Sequence, residues 1–122
     1  VWEDQRFRDQ IALLEIDVLA LEMLVLRVLS AEKSGKNSLD IAGLLKIKGS
    51  EIQQRYTELM MLAAGPYSLP YVREAMEAGW QGDMAMQAVA PLAPAYFNMR
   101  KTTIYGGSTE VQRIIIAQTV LG

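Results

Sequence analysis

Apolar residues recur at three- and four-residue spacing from Asp4 to about Glu32 with no Pro or Gly between them. That pattern predicts one long helix rich in Leu, Ala, Glu and Met. Ser34-Gly35-Lys36-Asn37 reads as a turn, with a glycine near a C-cap position. Asn37 or Ser38 can N-cap a second long helix running to about Ala64, where Gly65-Pro66 stops it. So short a connection predicts an antiparallel hairpin. The stretch from Pro66 to Pro94 differs, for it carries all four prolines together with Gly79 and Gly82. It predicts an extended excursion with a short helix near Tyr71 to Ala78. Leu92 to Met99 predicts a third main helix, Ile104 to Gly107 a tight loop, and Thr109 to Val120 a last helix. No segment alternates like a strand over a useful length. The expected class is all-α: one antiparallel four-helix bundle over residues 1–122, with two long helices and two shorter ones.

Projected at about 100° per residue, the first helix places Arg6, Asp9, Gln10, Asp17 and Arg27 on one broad wet face. Glu15 and Glu22 fall instead on a stripe with Leu14, Leu19, Leu26 and Leu29. On the second helix Ile41, Leu45, Ile52 and Leu59 mark the core face, with Lys48 and Arg55 at its edge. Counted from the turn, the heights predict facing pairs, Glu22 with Lys48 and Glu15 with Arg55, with Lys46 the main rival partner for Glu22. Charges on an apolar stripe need partners, because one left buried and unpaired costs roughly 3–5 kcal/mol. Both long helices are apolar over more than half their circumference, more than a hairpin buries. Self-association is therefore expected, as a homodimer or homotetramer, or packing against further helices of a longer chain.

Composition then removes possibilities. With no Cys and no His, disulfides, the usual zinc sites and any Ser-His or Cys-His pair are excluded, so no metal site is expected. A net charge of −2 gives no reason to expect nucleic acid or an anionic membrane as partner. The longest apolar run, Val18 to Leu29, is interrupted by Glu22 and Arg27 and is too short to span a bilayer. A cytoplasmic protein is expected. Because the chain opens at Val1 directly into an amphipathic pattern, we expect a piece of a longer protein.

The informative segment is Arg100-Lys101-Thr102-Thr103-Ile104-Tyr105-Gly106-Gly107-Ser108-Thr109-Glu110-Val111-Gln112-Arg113. Gly106-Gly107 permits torsions and close approach that other residues forbid. Ser108 or Thr109 can N-cap the following helix, and Thr109 with Gln112 fits a capping box. A helix start behind a Gly-Gly loop can also receive an anion such as a phosphate, though Glu110 in its first turn would repel one. Spacing alone leaves both readings open. Arg100 is a candidate to pair with a carboxylate near this loop. Trp80 and Tyr67 are expected to anchor the excursion onto the bundle, and the methionines to fill gaps in packing.

This segment, followed by Ile114-Ile115-Ile116-Ala117, resembles the C-terminal signature of the acyl-CoA dehydrogenases, in which a Tyr-(Glu or Gly)-Gly-(Thr or Ser) loop runs into a helix containing Glu-(Ile or Val)-Gln-Arg. A weaker resemblance extends upstream through Leu45-Lys46 and Gly49-Ser50-Glu51 to Trp2-Glu3-Asp4. The resemblance implies the C-terminal helical bundle of an enzyme that takes a proton from Cα and a hydride from Cβ of an acyl-CoA thioester, with FAD as hydride acceptor. It implies FAD contacts at Ser108, Thr109, Glu110 and Gln112. It also implies contacts to a neighbouring subunit's FAD at Met61, Ala64 and Gly65, and acyl-CoA contacts at Tyr105 and Gly107. Two departures stand out. Gly106 occupies the position where many members carry the glutamate base; some members with Gly there carry it on an earlier helix of the bundle, which would lie before Val1, so no catalytic residue is expected in this chain. Met61 stands where the family has Gln. The alternative expectation is a non-catalytic assembly module, or a degenerate partner subunit of a mixed complex. A related flavin oxidase or monooxygenase would use the same bundle.

Overall fold

The computed structural model describes residues 1–34 and 39–121, and among these it is helical with no strand. α1 spans Gln5–Lys33 and α2 spans Leu39–Ala64. Three shorter helices follow: α3 Met84–Val89, α4 Leu92–Met99 and α5 Thr109–Leu121. 3₁₀ turns lie at Gly65–Ser68, Arg73–Met76 and Arg100–Thr103. The four expected main helices are all present. The helix expected near Tyr71 to Ala78 is reduced to the single turn Arg73–Met76, and α3 was not foreseen. The turn residues Gly35, Lys36 and Asn37 and the Ser38 cap lie outside the described residues.

Local chemistry explains the boundaries. α1 starts at Asp4, whose carboxylate accepts the Arg6 N–H at 2.9 Å, an N-cap that satisfies one donor the helix cannot. α2 ends where Gly65 turns left-handed at φ 57°, and Pro66 then removes the next N–H. α3 exists because Asp83 caps it, accepting from Ala85 N–H at 2.9 Å, while the Trp80 indole donates to the Asp83 carbonyl at 3.0 Å.

α2 is the central element, with α1 on one side and α4 and α5 on the other. Against α1 the core is aliphatic and aromatic: Phe7 and Leu14 meet Leu59, with Ile11 and Ile52 beside them. On the other side α2 presents Gly43, Ser50 and Thr57, all buried at seven-residue spacing. Small side chains there let the neighbouring backbone come close. Ile47, buried beside them, was not among the expected core residues, whereas Leu59 and Ile52 were. The excursion is anchored by Ser68, only 1% exposed, whose hydroxyl donates to the Gly65 carbonyl at 2.8 Å. Ala75 and Ala90 pack just as deeply. Trp80 is half-buried with its indole bonded to Asp83 within the excursion, and Tyr67, expected as a second anchor, is 72% exposed.

The expected interhelical ion pairs do not form. Glu15 and Glu22 are exposed, and Lys48 bonds Glu51 on its own helix at 2.9 Å. Arg55 borders a surface cleft with Asp17, Glu51 and Glu58. The reason is rotation. α1 turns Phe7, Ile11 and Leu14 toward α2, so only the Leu14 edge of the expected stripe faces inward and the glutamates stay outside with Leu19, Leu26 and Leu29. A charge at the helix surface then finds its partner one turn away at little entropic cost. Leu13, Ile16, Leu19, Met23 and Leu26 are left on the open side of α1, each more than half exposed. Among the described residues no helix is long and apolar enough to cross a membrane.

Candidate functional site

The loop between α4 and α5 is built from two anchors and a clamp. The first anchor is Gln54 on α2. Its amide donates to the carbonyls of Met99 and Arg100, both at 3.2 Å, and lies 3.4 Å from the Thr102 hydroxyl. Arg100 returns the contact: its guanidinium donates to the Gln54 carbonyl at 3.0 Å and stacks on Tyr96 at 4.3 Å from the ring centre. Arg100 thus meets a carbonyl and an aromatic face rather than the carboxylate expected for it. Thr102 is buried beneath the turn, with its hydroxyl donating to the Met99 carbonyl at 2.8 Å.

The second anchor is the start of α5. Ser108 caps it, accepting the Val111 N–H at 3.4 Å, and Thr109 donates to the Thr103 carbonyl at 3.5 Å. The anticipated Thr109–Gln112 capping box is replaced by another arrangement. The Gln112 amide reaches past the helix start to donate to the Gly106 carbonyl at 3.3 Å. This is the clamp. Gly106 and Gly107 are both left-handed, at φ 69° and 88°, where a side chain would be strained. A Cβ on Gly107 would sit 2.5 Å from the Gln112 amide nitrogen, and one on Gly43 3.0 Å from its oxygen. Gln112 therefore occupies the space that two glycines leave, and ties the loop to α2. The sequence signal was present, two glycines followed by a glutamine within one turn of the helix start, but the capping box competed for the same residue.

Glu110, in the first turn of α5, is held below the ordinary carboxylate range by its own backbone N–H and then by the Ser108 hydroxyl. The Val111 N–H of this helix start is already answered by Ser108, and a carboxylate stands in its first turn. The arrangement does not favour a bare phosphate there. The approach to the loop itself is open. Tyr105 is 55% exposed, and a Cβ on Gly106 would meet nothing within 4 Å. Beside Tyr105 lies an open cavity of about 260 Å³ bounded by Leu45, Lys46, Gly49, Ser50, Gln53 and Thr102.

The second group of anticipated contacts is elsewhere. Met61 and Gly65 line an apolar cleft of about 360 Å³ with Leu62, Pro66, Leu69 and Tyr96. Ala64 lines a second cleft with Tyr67, Asp83 and Met86. Met61 is eighteen residues along α2 from Gly43, a rise of roughly 27 Å at 1.5 Å per residue. The structure brings Tyr105, Gly106, Gly107, Ser108, Thr109, Glu110 and Gln112 together at one end of α2 and Met61, Ala64 and Gly65 at the other. It does not bring the two groups to one place within a chain.

A family model described as acyl-CoA dehydrogenase, C-terminal domain, matches residues 1–121. No curated protein and no solved structure gives a significant match.

Proposed function

Since the chain belongs to the acyl-CoA dehydrogenase C-terminal domain family, we propose that it supplies the helical bundle of an FAD-dependent acyl-CoA dehydrogenase, contributing flavin contacts and a subunit interface. The observation that carries the reading is the clamped Gly106–Gly107 loop, open to approach on the Tyr105 side. Its residues suit a flat polar ligand laid against backbone better than a bare phosphate, because Ser108 and Glu110 already cover the helix start. Ser108, Thr109 and Glu110 would hold the FAD at this end, with Gln112 fixing the loop from behind. Met61, Ala64 and Gly65 would meet the FAD of a neighbouring subunit, which suits a separation that no single chain closes. Tyr105 and Gly107 would border the acyl-CoA thioester. When bound, FAD supplies the hydride acceptor. Removal of the Cα proton needs a carboxylate that Gly106 does not provide. Gly106 therefore also favours a second reading, in which this chain is the non-catalytic subunit of a mixed dehydrogenase complex.

Fluorescence titration of the isolated chain with FAD tests the assignment of roles. One loop and one helix end supply few of the contacts a dinucleotide needs, so weak binding or none is expected. Micromolar or tighter binding would mean that the chain forms a complete flavin site, against the shared-site reading. Self-association through the open side of α1 is tested by sedimentation of Leu19→Lys with Met23→Lys. These exposed positions should tolerate lysine in the monomer to within about 0.5 kcal/mol. The oligomer present for the wild-type chain should be lost, and a wild-type chain that sediments as a monomer at high concentration rejects the interface.

A further inference from the structure

The cavity beside Tyr105 is lined in part by the side chain of a cation that the flavin reading does not use. Lys46, on α2, lines it, yet its ammonium nitrogen has neither solvent contact nor a hydrogen-bond partner among the described residues. An ammonium carries three donors, and burying it unanswered is unfavourable. Among the described residues no acid bonds it. Glu51 is bonded to Lys48 at 2.9 Å. Glu110 feels the charge of Lys46 but gives its ammonium no hydrogen bond. Arg113 adds a second positive charge beside Glu110. The Ser50 and Thr102 hydroxyls donate to the Ile47 and Met99 carbonyls and leave the floor polar but spent as donors. The donors that remain at the rim are those of Gln53 and Tyr105, with the Lys46 ammonium covered beside them.

We propose that this cavity binds an oxyanion, a phosphate or carboxylate group, with the Lys46 ammonium as its principal contact and Gln53 and Tyr105 closing over it. The four-carbon stem of Lys46 lets the head group swing from its covered position into the cavity that the side chain already lines. The site stands whether or not the bundle serves a flavin enzyme, because it employs none of the residues assigned to FAD.

The test is an NMR titration of the chain with inorganic phosphate, acetate and ADP in turn, read at the backbone amides of Lys46, Ser50, Thr102 and Tyr105. Saturable shifts are expected, weakened about tenfold in Lys46→Met and largely kept in Lys46→Arg. Tighter binding of ADP than of phosphate would identify a nucleotide phosphate as the source. Acetate matching phosphate would identify a carboxylate. Either result supports the site, as does unchanged or tighter binding in Glu110→Gln. No saturable shift with any of the three, or equal shifts in Lys46→Met, overturns it. Should Lys46→Met fail to fold, chemical acetylation of the wild-type chain decides instead. Phosphate must then protect Lys46 relative to Lys101, and equal labelling with and without phosphate rejects the site.

Discussion

The two sides of α2 are held in different ways. Toward α1 the contact is aliphatic and aromatic, and it buries only Phe7, Leu14 and Leu59 deeply. Toward α4 and α5 it runs along Gly43, Ser50 and Thr57, and polar side chains that find backbone partners secure it: Gln54 on Met99 and Arg100, and Gln112 on Gly106. Apolar packing is non-directional and tolerates rotation. That is how α1 can turn one stripe inward and leave another facing out. Hydrogen bonds to specific carbonyls fix register and torsion. The side of α2 that carries the loop is the side where geometry is specified atom by atom.

Leu59→Ala and Gln54→Leu separate these two kinds of hold. Removing the Leu59 side chain, 5% exposed at the meeting of α1 and α2, should cost roughly 2–3 kcal/mol in chemical denaturation. Amide exchange at Gly106 and Gly107 should change no more than the global loss of stability requires. Gln54→Leu keeps the volume but leaves the Met99 and Arg100 carbonyls without its amide, and should cost about 1–2 kcal/mol. Its larger mark is local, with exchange in the turn Arg100–Thr103 and in the loop beyond it rising above the global effect. If Leu59→Ala loosened the loop as selectively as Gln54→Leu, the two sides would not be independent, and the contrast would fail.

The same contrast explains how much of the fold was legible in the sequence. Helix ends set by covalent chemistry were legible: Gly65-Pro66 closes α2 and Leu92 to Met99 forms α4 within the expected bounds. α3 was not, because six residues give no periodicity and its cap, Asp83, acts only once Trp80 has fixed the chain before it. The pairing of Glu15 and Glu22 failed because an apolar arc wider than half a helix offers two possible inward faces, and spacing does not choose between them. The loop and its two glycines were legible as a turn before a helix. The role of Gln112 was not, since its target is a carbonyl six residues earlier that only the left-handed torsions of Gly106 and Gly107 bring within reach. Lys46 had drawn notice as a rival partner for Glu22 and as part of the family pattern. Its unanswered ammonium is a property of packing.

The smallest effect belongs to Glu110, and it tests whether the loop side is set partly by charge. Its carboxyl lies below the ordinary value of 4.5 in the folded chain, through its own backbone N–H first and the Ser108 hydroxyl second. A group whose folded pKa is depressed contributes stability that is complete above its unfolded value and is lost as the pH falls through the folded one. Glu110→Gln should therefore leave the chain nearly unchanged in acid, and slightly less stable than wild type near neutral pH. The side chain is fully exposed, so solvent screening keeps the difference small and added salt shrinks it further. Paired thermal melts from pH 3 to 7 at low and high salt read this out. A difference that is constant across that range would place the contribution of Glu110 in helix propensity, and leave the start of α5 held by Ser108 and Gln112 alone.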